Sequence, residues 1–332
     1  MFCQFIKKGI FRFRQLGGWR LIAAYFKLGV GGVVLKQMFR IAFRRCAADD
    51  AYSAIRCAVN EILQKRYEGF LLDRKGYYDK QELNQQHSDR VWVCWLQGFE
   101  QAPELVKVCV GSMRKYLHDK DITLLSYDNY QEYVELPAHV VQLYEKGKMP
   151  AALFSDLLRL EVLIQHGGTW MDATMLVTGN HYPKEMMDCD LFMFQALRKG
   201  DSTFYGTSNW FITACSNNRL LLVLRDVLRQ YWRDYRVTLN YYMFHDFFYT
   251  IGLLYPGEIA AMPRKNRLLP LYLMQRMGDK YDANWMDELT KRCCFHKLNY
   301  RLSNQVLNDG DNFYHAVLTH STPRMVSITY NH

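Results

Sequence analysis

Short apolar runs and longer stripes with helical spacing alternate along residues 89–215 of the chain. Compact runs rich in aromatic and β-branched side chains are typical of buried strands. Such runs lie at residues 90–98, 121–128, 169–177, 189–196 and 208–215. Helical stripes predict helices from Pro103 to about His118, over 129–147, and from Pro150 to a stop at Gly167 and Gly168. This alternation predicts an α/β protein with a central sheet flanked by helices.

Residues 1–88 show no strong strand pattern, and we expect a helical extension there. Two further helices are predicted at 218–232 and 240–255. A chain of 332 residues is long enough for more than one domain. The change of pattern therefore predicts an N-terminal extension, residues 1–88, and a main domain, residues 89–332.

The positive charge of the chain is confined to its N-terminal segment. The net charge is +9, and residues 1–48 hold ten basic residues and no acidic one, which leaves 32 basic against 33 acidic residues elsewhere. Aromatic side chains are interleaved with these cations. The composition suits an anionic membrane surface, although a nucleic acid or an ordinary solvated helix face would also account for it. Of these partners we expect the membrane surface and no nucleic acid.

The location of the protein is predicted from three signals that the sequence lacks. The sequence holds no run of the roughly 18–20 uncharged apolar residues that a membrane span needs. The apolar run at 28–35 is bracketed by Lys27 and Lys36 and is not followed by a cleavage site of signal-peptide type. Nine cysteines form no C-x-x-C pair, which indicates free thiols in a reducing compartment. We therefore expect a cytoplasmic protein held peripherally at the inner face of the cell membrane.

One carboxylate, Asp172, stands inside the apolar run "TWMDATMLV" at 169–177. In α/β sheets, ligands bind beyond the carboxyl ends of the strands. Asp172 and the hydroxyl of Thr174 could hold a divalent cation there, because Mg²⁺ and Mn²⁺ take one or two carboxylates beside phosphates. The simpler interpretation is a turn and a strand with an acidic end. In the preceding helix, Asp156 and Arg159 lie about 60° apart around the helix axis, beside the apolar stripe. The sequence leaves two interpretations open for them, a surface ion pair and a partly buried functional pair.

The segment "FSDLLRLEVLIQHGGTWMDATM", residues 154–175, resembles the donor-site block of the capsular polysaccharide synthesis protein family. These are glycosyltransferases with a GT-A fold, related to enzymes that carry a D-x-D sugar-binding region. Further blocks follow at 91–116, 209–214, 241–248 and 295–300. The resemblance covers most of residues 89–300 and no part of 1–88. It implies a GT-A-like, Rossmann-like mixed sheet.

The resemblance implies three catalytic residues. Asp156 and Arg159 match an Asp-x-x-Arg whose side chains contact the donor sugar, and Asp172 matches the first Asp of D-x-D. Trp95 and Gln97, at the end of the first strand, lie where the nucleobase and ribose should dock. All five residues are predicted to bind the donor.

Weaker assignments complete the predicted site. Asn209 is a further donor-binding residue. Thr174 stands where the wider superfamily has its main metal-binding Asp, which leaves metal dependence open. The predicted ligands for Mn²⁺ or Mg²⁺ are Asp172, Thr174 and His296, although His296 reads equally well as a surface histidine. His245 and Asp246 are candidates for acceptor binding, with a core His–Asp pair as the more ordinary interpretation.

The function that the resemblance implies is that of a hexosyltransferase-type glycosyltransferase of bacterial surface polysaccharide. It would transfer a sugar from a nucleotide-sugar donor to a saccharide or lipid-linked saccharide acceptor in capsular biosynthesis, with retention of anomeric configuration. The missing second Asp motivates an alternative, a non-catalytic saccharide- or membrane-binding protein that keeps the fold.

Overall fold

The computed structural model describes residues 18–43, 45–196 and 206–320. Residues 1–17 and 44 of the basic segment lie outside these ranges, as do 197–205 and 321–332. Contacts between Cα atoms group the chain into two compact units. This grouping by contacts does not test the predicted boundary between residues 88 and 89, which stays a prediction.

The described residues form helices and strands in mixed order along the chain. The α-helices are α1 Gly18–Leu28, α2 Gly31–Ala42, α3 Ala48–Asp79, α4 Glu104–Tyr116, α5 Ala138–Glu145, α6 Ala151–His166, α7 Arg219–Asp234, α8 Met243–Leu254, α9 Pro256–Ala261, α10 Leu268–Gln275, α11 Ala283–Arg292, α12 Asn304–Asn308 and α13 Phe313–His320. The strands are β1 Arg90–Cys94, β2 Asp121–Leu125, β3 Gly168–Asp172, β4 Met175–Val177, β5 Leu191–Gln195, β6 Thr207–Ala214 and β7 Phe295–Lys297.

A mixed sheet of five strands forms the centre of one unit, in the order β2-β1-β3-β6-β5. Strand β1 is parallel to both β2 and β3, whereas β6 is antiparallel to β3 and to β5. The carboxyl ends of β1, β2, β3 and β5 therefore lie at the same edge of the sheet. Strands β4 and β7 form a separate antiparallel pair. The predicted α/β class with a central mixed sheet is confirmed.

Two of the predicted elements are interrupted. The helix predicted over 129–147 is a 3-10 turn at Tyr130–Glu132 followed by α5, and Pro137 directly precedes α5. Proline lacks an amide hydrogen and disfavours helical backbone in the residue before it, which ends the first turn. The strand predicted over 169–177 is divided into β3 and β4 by a turn at Ala173 and Thr174.

The unit that holds the sheet comprises Asn84–Val134, Val162–Asn218 and the described part of Gly257–His332. Inward-facing side chains of its strands form one buried cluster with helix α4, which includes Val91, Val93, Val106, Met171 and Phe211. A second buried cluster lies on the other side of α4, where Leu105 and Cys109 pack with residues of α10, α11 and α13. Helix α4 is therefore apolar on two sides, as a helix between two layers must be.

The other unit is helical and comprises the described residues up to Leu83, Glu135–Glu161 and Arg219–Pro256. Its longest helix, α3, has 32 residues and contacts α2, α7 and α8. Two tyrosines of α3 bond to acidic residues of α7: Tyr67 Oη lies 2.7 Å from Asp234 Oδ2, and Tyr78 Oη lies 2.8 Å from Asp226 Oδ2. The predicted N-terminal helices are confirmed for the described residues. None of the helices described for this chain combines the length and the apolar character that crossing a bilayer requires.

Candidate active site

Two glycines fix the point at which β3 begins. Gly167 and Gly168 have φ angles of +66° and +96°, in the left-handed region that favours glycine. A Cβ atom on Gly168 would lie 2.3 Å from Arg90 O, and one on Gly167 would lie 2.9 Å from Gln86 O. The indole of Trp92 also donates to Gly167 O at 2.9 Å. The start of β3 is thus held against β1, which sets where the carboxyl end of β3 falls.

That carboxyl end carries Asp172. In the parallel pairing of β1 and β3, Cys94 is the register partner of Asp172, and each is the last residue of its strand. Trp95 and Gln97 follow β1 at the same edge. Asn209 reaches this edge from the opposite direction, because β6 runs antiparallel to β3 with Phe211 opposite Met171. The sheet topology thus brings four of the predicted donor-binding residues to one edge.

Both carboxylate oxygens of Asp172 have partners. Trp170 Nε1, two residues back on the same side of β3, lies 3.1 Å from Asp172 Oδ1. The ammonium of Lys297 lies 3.2 Å from Asp172 Oδ2 and also donates to Thr174 Oγ1. The side chains of Asp172 and Lys297 are 27% and 19% exposed, so this ion pair is reachable from solvent yet largely enclosed.

The pairing of β4 with β7 places Lys297 next to Asp172 and Thr174. Met175 is opposite Lys297, and the amide of Leu298 donates to Thr174 O at 2.9 Å. Because neighbouring residues of a strand point to opposite faces, His296 leaves β7 on the other side from Lys297. His296 is completely buried, and its Nε2 lies 3.0 Å from Thr178 Oγ1. Burial lowers the pKa of His296 to about 4. The predicted metal ligand His296 therefore lies on a different face from the ammonium that contacts Asp172 and Thr174.

An aromatic pair stands at the end of β1. The rings of Trp95 and Tyr300 meet edge to face, with centroids 5.1 Å apart. The indole Nε1 of Trp95 is buried and donates to no acceptor among the described residues. A buried donor without a partner carries a desolvation cost that a ligand acceptor can offset. Gln97, by contrast, is exposed.

Asp156 and Arg159 belong to the helical unit. Arg159 Nη2 lies 3.2 Å from Asp156 Oδ1, and both side chains are buried. The guanidinium also lies 5.9 Å from the ring centroid of Phe244, and Arg159 Nε donates to Ser155 O. The pair is thus a buried one, which is uncommon for charges at this spacing on a helix, since most such pairs are exposed.

His245 and Asp246 also lie in the helical unit, and their side chains have different surroundings. Asp246 accepts hydrogen bonds from Arg56 at 3.3 Å and from Asn240 Nδ2 at 2.6 Å, so it ties α3 to the start of α8. The ring of His245 lies against the rings of Tyr242 and Phe244. Asp246 therefore has an evident role in packing, and acceptor binding by these two residues stays a prediction.

Comparison with models of known protein families gives a match over most of the chain. The model of the family described as "Capsular polysaccharide synthesis protein" matches residues 41–317. This chain belongs to the capsular polysaccharide synthesis protein family. The match begins within α2, well before residue 89, where the resemblance noted in the sequence begins. No curated protein matches the chain. A solved structure titled "PaToxG Glycosyltransferase" is similar at 16% identity over 60% of this chain and 80% of that one, with a TM-score of 0.38.

A divalent cation does not fit the side chains that this family member presents at Asp172. The available oxygens are one carboxylate and one hydroxyl, and the ammonium of Lys297 already binds both. The described residues also contain no group of three His, Cys, Asp or Glu side chains that could hold a metal ion. The predicted Mn²⁺ or Mg²⁺ is not tested by this structure and stays a prediction, which the contacts of Lys297 with Asp172 and Thr174 do not favour.

From the sequence, Lys297 is one possible cation for the departing diphosphate, but the bridge that its ammonium forms between Asp172 and Thr174 was not predicted. It depends on the register of β4 with β7, two strands of three residues each whose pairing joins distant parts of the chain. A usable signal was present in "FHK", residues 295–297, since an alternation that buries His296 turns Lys297 to the other face.

Proposed function

We propose that this capsular polysaccharide synthesis protein is a glycosyltransferase. It transfers a hexose-type sugar from a nucleotide-sugar donor to a saccharide or lipid-linked saccharide acceptor in capsular or surface polysaccharide biosynthesis. The observation that carries the proposal is the position of Asp172 at the carboxyl end of β3, in register with the end of β1 and in contact with Lys297. Ligands of open α/β sheets bind at this edge.

Roles in donor binding follow from this edge. Trp95, with Tyr300 against it, offers an aromatic surface for the nucleobase, and Gln97 is exposed beside it. Asp172 holds the ammonium of Lys297 and faces the ribose and diphosphate. Asn209 reaches the same edge from β6. For Asp156 and Arg159 the proposal rests on the family resemblance, which assigns their side chains to the donor sugar.

The proposed reaction proceeds with retention. The bond between the anomeric carbon and the diphosphate oxygen breaks, and its electron pair leaves with the diphosphate. The acceptor hydroxyl oxygen bonds to the anomeric carbon from the same face, and its proton passes to the departing phosphate oxygen. A fixed positive charge at the leaving group lowers the barrier, because it stabilises charge that develops in the transition state.

Nucleotide release from a panel of UDP- and GDP-sugars, with and without saccharide acceptor, tests the proposal. We expect turnover with at least one donor, and we expect Asp172→Asn to reduce it about 100-fold or more, because the amide no longer fixes the ammonium of Lys297 at the leaving group and the loss of such a preorganised charge has an effect of this size. Asp287→Asn, on the exposed face of α11, is the matched control and should retain activity. Absence of turnover with every donor, or full activity of the Asp172 variant, would contradict the proposal.

Thr174 favours a second candidate, a saccharide-binding protein without catalysis, because it stands where the superfamily has a carboxylate. Calorimetry separates the two. Binding of a nucleotide sugar that is never consumed, even with acceptor present, would support the second candidate.

Helices α1 and α2 support a peripheral attachment at the cytoplasmic leaflet of the membrane. The exposed side chains of α1, of α2 and of the chain just after α2 include apolar and basic residues: Trp19, Phe26, Leu35, Met38, Phe39 and Phe43 are interleaved with Arg20, Lys27, Lys36, Arg40 and Arg45. Phe39 and Phe43, 66% and 63% exposed, stack at 5.6 Å. Exposed aromatics interleaved with cations are the pattern of helices that lie in the headgroup region of anionic bilayers.

Vesicle sedimentation tests this attachment. We expect binding to vesicles that contain phosphatidylglycerol, weaker binding to pure phosphatidylcholine, and about a tenfold loss in a Phe39→Ser, Phe43→Ser variant. Tyr77→Ser, an exposed aromatic on α3, serves as control. Binding to DNA with the same salt dependence, and none to vesicles, would point to a nucleic acid instead.

A further inference from the structure

We propose that Lys297 is the resident cation of this site and takes the place that a divalent metal has in related sites. The proposal rests on the glycosyltransferase function proposed above and concerns how its donor diphosphate is held. Binding of the nucleotide diphosphate then requires the ammonium of Lys297 and no metal ion.

The ammonium of Lys297 lies where a metal ion would bind. Its Nζ bridges Asp172 Oδ2, at 3.2 Å, and Thr174 Oγ1, which are the two oxygens that the D-x-T triplet offers. A metal ion bound by the same two oxygens would have to displace the ammonium or lie beside it. Displacement of the ammonium would require breaking a largely enclosed ion pair. A metal ion beside the ammonium would be repelled by it, because both are positively charged. The charge that this site needs is therefore already supplied by a side chain.

The strand that carries Lys297 is held in a single register. Strand β7 is fixed by its pairing with β4, and the amide of Leu298 donates to Thr174 O. On the opposite face His296 is completely buried and lies 3.0 Å from Thr178 Oγ1. Lys297 thus projects from a strand that cannot slide by one residue without burying the lysine and exposing the histidine.

One donor of the ammonium is available for a ligand. A lysine ammonium has three N–H groups. Two engage Asp172 and Thr174, and the remaining contact, with Leu298 O, is 3.4 Å long. Hydrogen bonds of this length are weak, so a phosphate oxygen can take this donor. Lysine is a common phosphate ligand in this role of a point charge.

Thr174 then has a function of its own. With a carboxylate at residue 174, two negative charges would face the single positive charge of Lys297. The site would then be net negative and would repel an anionic ligand. A hydroxyl accepts one hydrogen bond from Lys297 and adds no charge. The replacement of Asp by Thr and the presence of Lys297 are therefore two parts of the same arrangement.

Calorimetry of the full chain with UDP, GDP, ADP, CDP and dTDP tests the proposal. We expect at least one diphosphate to bind in the presence of EDTA, with an affinity within about threefold of that in Mn²⁺ or Mg²⁺. Lys297→Met should weaken this binding at least tenfold. Lys291→Met, in an exposed ion pair on α11, should leave it unchanged. Thermal unfolding of both variants confirms that they are folded.

A double variant sharpens the test. In Thr174→Asp, Lys297→Met the ammonium is gone and two carboxylates face the same position, so we expect diphosphate binding to return only when Mn²⁺ is added. Titration with Mn²⁺ alone should show a new site in the double variant that the wild-type chain lacks.

The outcomes separate the two proposals. Diphosphate binding by the unmodified chain that appears only with metal, or full affinity in Lys297→Met, would overturn the role of Lys297 and leave the glycosyltransferase proposal standing. Failure of every diphosphate to bind under either condition would overturn both.

Discussion

Cys94 and Asp172 are direct register partners at the last positions of two adjacent parallel strands. The chain that leaves β1 after Cys94 therefore passes next to the Asp172 carboxylate, and Trp95 is its first residue. This relationship links the aromatic pair at Trp95 to the ion pair at Asp172, and it permits a test of the aromatic half alone.

We expect Trp95→Ala to weaken binding of the nucleotide diphosphate by about 10- to 100-fold, because base–aromatic stacking contributes about 1–3 kcal/mol. Trp95→Phe should lose less affinity for the diphosphate, since the smaller phenyl ring can still stack on the base. Calorimetry with the diphosphate that binds the wild-type chain measures both. Trp19→Ala, on an indole 79% exposed in α1, is the control. Unchanged affinity of the alanine variant would remove Trp95 from the site.

Much of this edge could be predicted from the sequence, for identifiable reasons. Strands β1, β3 and β6 coincide with compact runs of apolar side chains that predict buried strands. Gly167 and Gly168 mark the end of α6 and the tight turn into β3. Pro137, by contrast, interrupts a pattern whose apolar spacing favours a continuous helix. The bridge through Lys297 could not be predicted, because the pairing of two very short strands depends on tertiary packing rather than on local preference.

Gly168→Ala should destabilise the protein severely. The added Cβ would lie 2.3 Å from Arg90 O at a φ angle of +96°, so we expect a loss of about 3 kcal/mol or more from strain and clash. The matched control is Gly69→Ala in α3, where nothing lies within 4 Å of the new Cβ. That change should stabilise by about 0.5–1 kcal/mol, the helix preference for alanine over glycine. Urea unfolding measures both, and equal midpoints for the two variants would contradict the assigned role of Gly168.

Burial of His296 predicts a loss of stability in mild acid. Its pKa is lowered from 6.5 to about 4 by burial, so the unfolded chain binds a proton between these pH values that the folded chain does not. The free energy of unfolding should therefore fall as the pH drops from about 6.5 to about 4, by at most about 3 kcal/mol from this group.

The measurement is denaturant unfolding as a function of pH in wild-type and His296→Gln protein. The variant should be less stable at pH 7 and should show a shallower decline in acid, since the titrating ring is gone. Gln305→Ala, at an exposed side chain of α12 that does not titrate, is the control and should follow the wild-type curve. Parallel curves for wild type and the His296 variant would disprove the assignment.

A buried ion pair in the helical unit should be far more costly to break than an exposed one. Arg229 Nη2 lies 2.7 Å from Glu161 Oε1, and the glutamate side chain is 2% exposed. Burial raises the pKa of Glu161, while Arg229 and Arg225 oppose this shift. We expect Arg229→Met to destabilise by about 3–5 kcal/mol, because it removes the closest charge partner of a buried carboxylate.

The exposed pair of Lys291 and Asp287 on α11 supplies the comparison. Lys291→Met should change the free energy of unfolding by less than about 1 kcal/mol. Urea unfolding at pH 7 measures both variants. Similar losses from the two substitutions would show that Glu161 is already neutral in the folded protein.

The separation of 123 residues between Lys297 and Thr174 has a consequence for biosynthesis. A ribosome synthesises β1, β3 and β4 long before β7, so the nascent chain carries Asp172 and Thr174 before Lys297 has been made. Closing so long a loop is slow compared with local structure formation. The arrangement that we propose to bind the diphosphate is therefore assembled only after residue 297 has been made, and termination before residue 295 leaves the Asp172 carboxylate without the ammonium of Lys297.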